Sequence, residues 1–432
     1  MALLASSTRD SALPALVREG CEPVRDIEQD DLGALVERLG DARVVLLGEA
    51  THGTSEFYRM RTRITRELVR RRGVNIVAVE ADWPDAAHLD RYARALPQAR
   101  WPETPFERFP TWMWRNLEVS QLIEWLRELN AERPEAERVS FRGLDLYSMF
   151  TSIQAVLEYL DQVDAETAAI ARNRYACLTP LARNPEVYGR MALTGRYRSC
   201  EAAVVDMLRQ LLARRLELTS SDGGRFFDAV RNAEVIASAE QYYRAMYYGR
   251  VESWNLRDRH MFDTLRALLD FHGPESRAVV WEHNSHVGNA AATEMGDAGE
   301  WNVGQLCVER LGDAAYKVGF GTDRGWVMAA PEWGAEGRPM AVRPAQPESY
   351  EALCRATEIP AFLLPLRYPW RPEVVAGLTP RRLERAIGVV YLPEREMVSH
   401  YFKASLPNQF DEYVWFAETS AVHPLPGAGT AP

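Results

Sequence analysis

Short apolar runs alternate with longer segments of helical periodicity in the first part of the chain. Val44–Leu47 is a continuous apolar run of the length of a strand buried on both faces, Asn75–Glu80 is a second short apolar strand, and Val139–Asp145 is a third predicted strand. The helices expected around them are 31–39, 55–72 and 112–130. Because strands that alternate with helices form βαβ units, this part of the sequence predicts a parallel sheet.

Helical periodicity dominates the middle of the chain, and strand signals return after it. The later strands are expected at Ala278–Glu282, Tyr316–Phe320, Ala361–Leu364, Val389–Leu392 and Tyr413–Phe416. We therefore predict an α/β fold with a mainly parallel central sheet flanked by helices and a large all-helical insertion that forms a cap. The predicted domains are an α/β core (1–147 and 272–425), a helical cap (148–271) and a flexible tail (426–432).

Composition narrows the class of protein. Apolar types make up 47% of the chain and charged types 26%, which is typical of a folded globular protein. The net charge of −10 disfavours a nucleic-acid-binding surface. The five cysteines are scattered and never form a CxxC pair, so we expect reduced thiols. No apolar run suits a signal peptide or a membrane span, and we expect a cytoplasmic protein with a small-molecule substrate and neither a nucleic-acid nor a membrane partner.

Acids and histidines follow the predicted strands, at the point where each strand ends. The segments are Glu49–Gly53, Glu80–Asp82, Asp145, Glu282–His286 and Thr322–Asp323. Three of the eight histidines (His52, His283 and His286) lie in these segments. In open α/β sheets, ligands bind outside the carboxyl ends of the strands. The convergence of titratable side chains at this edge therefore predicts an active site.

Glu49-x-x-His52 lies on the turn between a strand and a helix that starts near Thr54 or Ser55. An isolated motif of this kind would be expected only to hydrogen-bond its own turn. Because acids and histidines also follow the other predicted strands, we interpret His52 as a general base that activates water, oriented by Glu49 or Glu80.

Two alternatives remain open for Glu282–His286. His283 and His286 could hydrogen-bond a substrate or a transition-state oxygen, or they could join Glu49 and His52 as ligands of a divalent metal. The three-residue spacing of the two histidines differs from the four-residue spacing of the familiar zinc helix. Arg61 could reach an acid of the site or a substrate oxygen, and Arg257, at a predicted helix start near Asn255, is a further candidate.

Missing motifs also shape the mechanism. The sequence has no GxSxG elbow, no GxxxxGK[ST] loop and no GxGxxG after a strand. A serine nucleophile of the usual α/β type and a P-loop nucleotide site are therefore disfavoured. For a hydrolase, water activated directly is the expected nucleophile.

Gly48–Thr54, followed by Glu56 and Phe57, resembles the opening signature of the erythromycin esterase family. Downstream segments match further family positions in order and approximate spacing: Glu80, Arg257–Asp258, His283–His286, Ser399–Tyr401 and Gln409–Asp411. The resemblance spans residues 25–420. It implies an α/β core with a helical cap, and hydrolysis of a macrolide lactone as in the characterised resistance enzymes. It also implies that His52 is the general base, with Glu49, Arg61, Glu80, His283 and His286 around it.

Residues and resemblance together predict a hydrolase of an ester or lactone. His52 takes a proton from water with help from Glu49 or Glu80, and His283, His286 or Arg61 stabilises the oxyanion. Arg257 is assigned to substrate binding, and no cofactor is required. One rival hypothesis is a metal-dependent hydrolase with the ion held by Glu49, His52, His283 and His286. The other is a protein that binds a small molecule or metal without catalysis.

Overall fold

The computed structural model describes residues 12–97, 99–102, 106, 108–178, 190–191, 199–213, 215–367 and 371–426. The predicted flexible tail, apart from its first residue, lies outside these ranges. So do the residues at the extreme amino terminus.

Nine of the eleven described strands form one sheet, and the other two form a separate hairpin. The strands are β1 (Glu22–Pro23), β2 (Val44–Leu47), β3 (Ile76–Asp82), β4 (Ser140–Asp145), β5 (Ala278–Trp281), β6 (Ala315–Ala329), β7 (Arg338–Val342), β8 (Ala361–Pro365), β9 (Arg382–Arg385), β10 (Tyr401–Ala404) and β11 (Glu412–Thr419). The large sheet has the order β1-β8-β11-β6-β2-β5-β3-β4, with β7 beside β6, and β9 pairs with β10.

The centre of the large sheet is parallel. β11, β6, β2, β5 and β3 run in one direction, while β8 is antiparallel to both β1 and β11, and β7 is antiparallel to β6. Every residue of β2 and β5 is buried, as expected for strands covered on both faces. The prediction of an α/β fold with a mainly parallel sheet is confirmed.

Helices flank the strands. They are α1 (Gly33–Leu39), α2 (Ser55–Arg71), α3 (Trp83–Ala93), α4 (Thr111–Trp114), α5 (Leu117–Ala131), α6 (Met149–Val163), α7 (Ala165–Tyr175), α8 (Glu201–Ala213), α9 (Arg215–Ala245), α10 (Arg250–His272), α11 (Asn284–Val287), α12 (Glu294–Asp297), α13 (Val303–Leu311), α14 (Tyr350–Arg355), α15 (Pro372–Leu378), α16 (Glu396–Ser399) and α17 (Leu406–Gln409). Within the described parts of the chain, no helix is long and apolar enough to cross a membrane.

The single helix predicted over 112–130 is wrong, because Asn116 divides it. The Asn116 side chain accepts a hydrogen bond from the Val119 amide at 2.8 Å and so caps the start of α5. The same side chain donates to the Trp112 and Met113 carbonyls and so satisfies the end of α4. One side chain therefore ends one helix and begins the next.

Two other local predictions are also wrong. Val389–Leu392 forms no strand, because Val390 makes only an isolated bridge to Ala330 and a 3₁₀-helix begins at Pro393. Asn255 does not cap a helix, because α10 already begins at Arg250. In addition, the strand expected at Tyr316–Phe320 continues to Ala329, since its second half pairs with β7.

The chain divides into two compact units. Unit 1 comprises the described residues of Met1–Val79, Leu89–Phe141 and Leu269–Pro432, and unit 2 those of Glu80–His88 and Arg142–Leu268. Unit 2 has its own apolar core, built mainly by α6 to α9, with Leu160, Val204 and Ile236 among its buried residues. The domain boundaries given by the sequence stay a prediction.

Cys177 and Cys200 are joined by a disulfide, with their Cα atoms 6.1 Å apart. The expectation of reduced thiols is therefore wrong for this pair. A separation of 23 residues matches no short cysteine motif, so no local pattern indicates the bond. Cys21, Cys307 and Cys354 are free thiols.

Candidate active site

The loop between β2 and α2 carries Glu49 and His52 and is pressed tightly against its neighbours. A methyl group at Gly48 would overlap the Asn284 side chain, and one at Gly53 would overlap the Met328 carbonyl. Only glycine allows such close approach at these two positions. The loop is therefore fixed on both sides of His52.

Glu49 uses its two carboxylate oxygens for two different partners. Oε1 lies 2.9 Å from Nδ1 of His52, and Oε2 accepts a hydrogen bond from Nη2 of Arg61 at 2.6 Å. Glu49 is completely buried, and the His52 side chain is 8% exposed. A carboxylate only accepts hydrogen bonds, so Nδ1 of His52 carries a proton. In the neutral ring, Nε2 is then the nitrogen that can accept a proton.

Arg61 is held between aromatic rings in the interior of unit 1. Its guanidinium carbon lies 4.4 Å from the centre of the Tyr58 ring and 4.7 Å from that of Trp281. The Trp281 indole is fixed in turn by a hydrogen bond to the Thr65 hydroxyl at 3.0 Å. Because Arg61 is fully buried, it contacts Glu49 and not solvent.

The backbone of His52 is also anchored. The Tyr58 hydroxyl donates a hydrogen bond to the His52 carbonyl at 2.7 Å. The His52 amide donates to the Ile387 carbonyl at 3.3 Å. Tyr58 therefore contributes twice, because it fixes the backbone of His52 and packs against Arg61.

His283 follows β5 and precedes α11, and its ring centre lies 4.9 Å from that of His52. Nδ1 of His283 accepts a hydrogen bond from the Ser285 amide at 3.2 Å and lies 2.8 Å from the Ser285 hydroxyl. A neutral His283 ring therefore carries its proton on Nε2, which is the opposite tautomer to that of His52. One ring presents an acceptor nitrogen and the other a donor.

Asn284 joins the ends of three strands behind these histidines. Its amide donates to the Glu49 carbonyl at 2.8 Å, after β2. Its side chain donates to the Phe320 carbonyl at 2.7 Å and accepts from the Phe320 amide at 3.2 Å, on β6. Since Asn284 itself follows β5, these bonds set the spacing of Glu49 and His283.

His286 lies in α11, one turn after His283, and is buried. Its amide donates to the His283 carbonyl at 2.9 Å. The role assigned to His286 stays a prediction. Among the residues that the structure describes, no group of three or more His, Cys, Asp or Glu side chains is arranged so that it could hold a metal ion.

Glu80 and Arg257 belong to a buried cluster in unit 2. Arg257 donates to both oxygens of Asp145, at 3.0 and 2.7 Å, and to Glu80 at 2.7 Å. The guanidinium lies 5.1 Å from the centre of the Tyr147 ring. Burial by itself lowers the pKa of Arg257, but the charges of Asp145 and Glu80 outweigh it and raise that pKa well above its ordinary value.

The ends of the strands thus carry the charged groups, which form one cluster within unit 1 and one within unit 2. The His52 cluster is Glu49, His52, Arg61 and His283, and the Arg257 cluster is Glu80, Asp145 and Arg257. Sequence reasoning missed the parts played by Tyr58, Trp281 and Ser285. Ser285 lies in the predicted segment Glu282–His286, but no sequence pattern indicates its bond to Nδ1 of His283.

A family model described as erythromycin esterase matches residues 69–419. The chain belongs to the erythromycin esterase family. The matched range includes Glu80, Arg257, His283 and His286, whereas Glu49, His52 and Arg61 precede it. Membership of this family supports a hydrolase activity.

Relatives of known name agree with this assignment. The chain is 21% identical to YbfO of Bacillus subtilis (strain 168), a candidate hydrolase, over 89% of this chain and 85% of YbfO. It is also 21% identical to the erythromycin esterase type II of Escherichia coli, over 70% of this chain and 74% of that enzyme. At this level of identity, the relatives' substrates are not carried over to this chain.

Solved structures share the fold. A Bacillus cereus protein superposes with a TM-score of 0.82 at 20% identity, covering 96% of this chain and 99% of its own. A succinoglycan biosynthesis protein gives 0.77 at 20% identity with the same coverage. The erythromycin esterase EreC, a histidine-to-asparagine mutant in its open conformation, gives 0.68 at 17% identity and covers 93% of this chain and 98% of its own.

Proposed function

We propose that this member of the erythromycin esterase family hydrolyses a carboxylic ester or lactone with water activated by His52. The observation that carries the proposal is the pair of hydrogen-bond partners at Nδ1 of His52 and of His283, which favour opposite tautomers in two rings whose centres are 4.9 Å apart. A base needs an acceptor nitrogen, and an oxyanion needs a donor. The His52 cluster offers one of each.

In the proposed reaction, Nε2 of His52 accepts a proton from water as the water oxygen attacks the carbonyl carbon. Glu49 stabilises the imidazolium through the 2.9 Å hydrogen bond at Nδ1. Nε2–H of His283 donates to the tetrahedral oxyanion. The intermediate then collapses with cleavage of the C–O bond, and the leaving alkoxide takes the proton from His52.

The other candidate residues receive more specific roles. We assign Arg61 to holding Glu49 in place, because its buried guanidinium contacts that carboxylate. For Arg257 we keep the proposal of substrate binding, with Glu80 and Asp145 orienting the guanidinium. A fixed guanidinium is suited to binding a carbonyl or carboxylate oxygen.

The test is hydrolysis of a panel of macrolides, simple lactones and aryl esters by the wild type and by His52→Asn. Loss of a general base predicts a fall in kcat of about 10²–10⁴-fold, with circular dichroism unchanged. His88→Asn, at an exposed histidine of unit 2, serves as the matched control and keeps full activity. Full activity of His52→Asn, or no turnover of any member of the panel, would overturn the proposal.

A chelator separates the proposed cofactor-free reaction from its metal-dependent rival. We expect turnover to persist after dialysis against EDTA. Loss of turnover that one defined divalent ion restores would instead support a metal held by Glu49, His52, His283 and His286.

A further inference from the structure

The segment 420–425 pairs with the loop that carries His52. The Ser55 amide donates to the Ser420 carbonyl at 2.8 Å, and the Val422 amide donates to the Gly53 carbonyl at 3.0 Å. Thr54 and Ala421 form an antiparallel bridge between these two bonds. The three residues that follow His52 are therefore held by a short stretch of β-pairing from the far end of the sequence.

The same segment continues along the start of α5. The Leu117 amide donates to the His423 carbonyl at 2.8 Å, and the Leu425 amide donates to the Arg115 carbonyl at 3.0 Å. Asn116, which caps α5, forms an isolated bridge to Pro424. The segment 420–425 thus connects the His52 loop to α5 of unit 1.

Glu118, in the first turn of α5, is the side chain at which these parts meet. Its Oε1 accepts a hydrogen bond from the Ser55 hydroxyl at 2.6 Å and lies 2.9 Å from Nδ1 of His423. Its Oε2 accepts from the His423 amide at 3.2 Å. Glu118 is only 4% exposed, and hydrogen bonds to a buried carboxylate are stronger than those between neutral groups.

The opposite side of the loop is already fixed. The Met328 amide donates to the Gly53 carbonyl at 3.0 Å, so this carbonyl is held by β6 as well as by Val422. Ser55 is the first residue of α2, and Glu118 is its side-chain partner. Removal of Glu118 would therefore weaken the hold on the helix start, leaving its bonds to Ser420, while the β6 side stays bound, and so would shift the loop.

We propose that Glu118 is a positioning residue for His52, acting through Ser55 and through the segment 420–425. The inference rests on the proposed role of His52 as general base. Glu118 holds the ring of His52 against Glu49 and beside His283. A displacement of about 1 Å in such a site can lower a rate by about 100-fold.

The first test compares Glu118→Ala with Glu118→Gln and Glu128→Ala on a substrate from the panel. Glu118→Ala is expected to lower kcat by about 10–100-fold with KM little changed. Glu118→Gln keeps an oxygen that can accept from the Ser55 hydroxyl, and it is expected to recover most of kcat. Glu128 is an exposed glutamate of the same helix, so its variant controls for loss of a carboxylate there. Wild-type kcat in Glu118→Ala would overturn the inference.

The second test does not depend on activity. Spectra of the ring nitrogens of ¹⁵N-labelled histidine report the tautomer of each of the eight histidines, and His52→Asn identifies the His52 signals. We expect Nδ1 protonation at His52 in the wild type and in Glu128→Ala, and a mixture of tautomers in Glu118→Ala. Unchanged His52 signals in Glu118→Ala would refute the inference even if the panel contains no substrate.

Two milder variants keep the inference testable if Glu118→Ala does not fold. Ser55→Ala and His423→Ala each remove one partner of Glu118, and the His423 side chain is 67% exposed. Each is expected to lower kcat by about 3–10-fold, the range expected for loss of one hydrogen bond of ordinary strength. Wild-type kcat and an unchanged His52 tautomer in both variants would contradict the proposed positioning.

Discussion

The His52 cluster and the Arg257 cluster bury the same kinds of charge in opposite arrangements. In the His52 cluster one carboxylate, Glu49, contacts a histidine and an arginine. In the Arg257 cluster one guanidinium contacts two carboxylates, Glu80 and Asp145. The first arrangement contains a group that can gain and lose a proton, whereas the second is built on a side chain that stays charged.

This difference distinguishes two tasks, proton transfer and binding by a fixed charge, that the strand-end pattern alone had assigned to one site. Either Glu49 or Glu80 was expected to assist His52, but the partner of each acid decides what it can do. A carboxylate that holds an imidazole supports proton transfer. Carboxylates that hold a guanidinium fix a permanent charge, which is useful for binding and not for accepting a proton.

The largest effect on stability is expected from Arg257→Met. The variant leaves Glu80 and Asp145 buried without their shared cation, which costs about 3–5 kcal/mol of folding free energy. Urea denaturation followed by circular dichroism measures the loss. Arg266→Met is the control on the same helix, because its ion pair with Asp263 is exposed, and a change below about 1 kcal/mol is expected there. Equal midpoints for the two variants would show that the Arg257 cluster is not essential for folding.

A second prediction contrasts His52 with His260, whose Nδ1 lies beside a serine hydroxyl instead of a carboxylate. Burial lowers the pKa of His260 in unit 2 to about 4, although the charge of Asp145 acts in the opposite direction. The ring of His260 lies 3.0 Å from the Ser238 hydroxyl through Nδ1. The unfolded chain, with a histidine pKa near 6.5, binds the proton more readily than the folded one.

The contribution of His260 to the free energy of unfolding is therefore fully present above about pH 6.5. It is lost as the pH drops toward 4, by roughly 3 kcal/mol in all. Denaturation curves recorded from pH 7 to pH 4 measure this slope. His260→Gln is expected to flatten it, while the exposed His88→Gln is expected to leave it unchanged. A slope that persists in His260→Gln would assign the acid sensitivity to other groups.

The smallest effect is expected from Arg61→Lys, which keeps the charge beside Glu49 but not the planar group between Tyr58 and Trp281. Loss of this stacking costs about 0.5–2 kcal/mol. We expect kcat/KM on a panel substrate to fall by about 3–10-fold, measured against Arg59→Lys on the same helix. Arg59 makes only a partly exposed ion pair with Glu28, so its variant should match the wild type. A larger loss in Arg61→Lys than in His52→Asn would point to direct contact of Arg61 with substrate.

The local pattern of apolar and polar residues was sufficient to predict the parallel strands and the residues at their ends. Val44–Leu47 and the Glu49–His52 turn are read from neighbouring residues alone, because burial on both faces requires a continuous apolar run. Arg61 could be placed on the right helix, but its contact with Glu49 depends on the rings of Tyr58 and Trp281. Tyr58 is a helical neighbour, whereas Trp281 lies more than two hundred residues away.

Features set by distant partners were not predictable in this way. The disulfide of Cys177 joins a cysteine 23 residues away, and neither residue stands in a short cysteine motif. Glu118 looks like an ordinary acid in the first turn of a helix, since its partners are 63 and 305 residues distant. Such contacts depend on the tertiary fold, and the residues around each partner carry no local pattern that indicates them.

The pairing of residues 53–55 with residues 420–422 has a consequence for biosynthesis. The ribosome makes His52 long before Ser420, because the bond between Glu56 and Ser420 spans 364 positions and cannot form until both residues have been synthesised. Contacts of such long range also slow folding, because a large loop has to close before they form. A nascent chain stalled before residue 420 would therefore have its strands and helices largely made, yet its histidine loop would still lack one of its two supports.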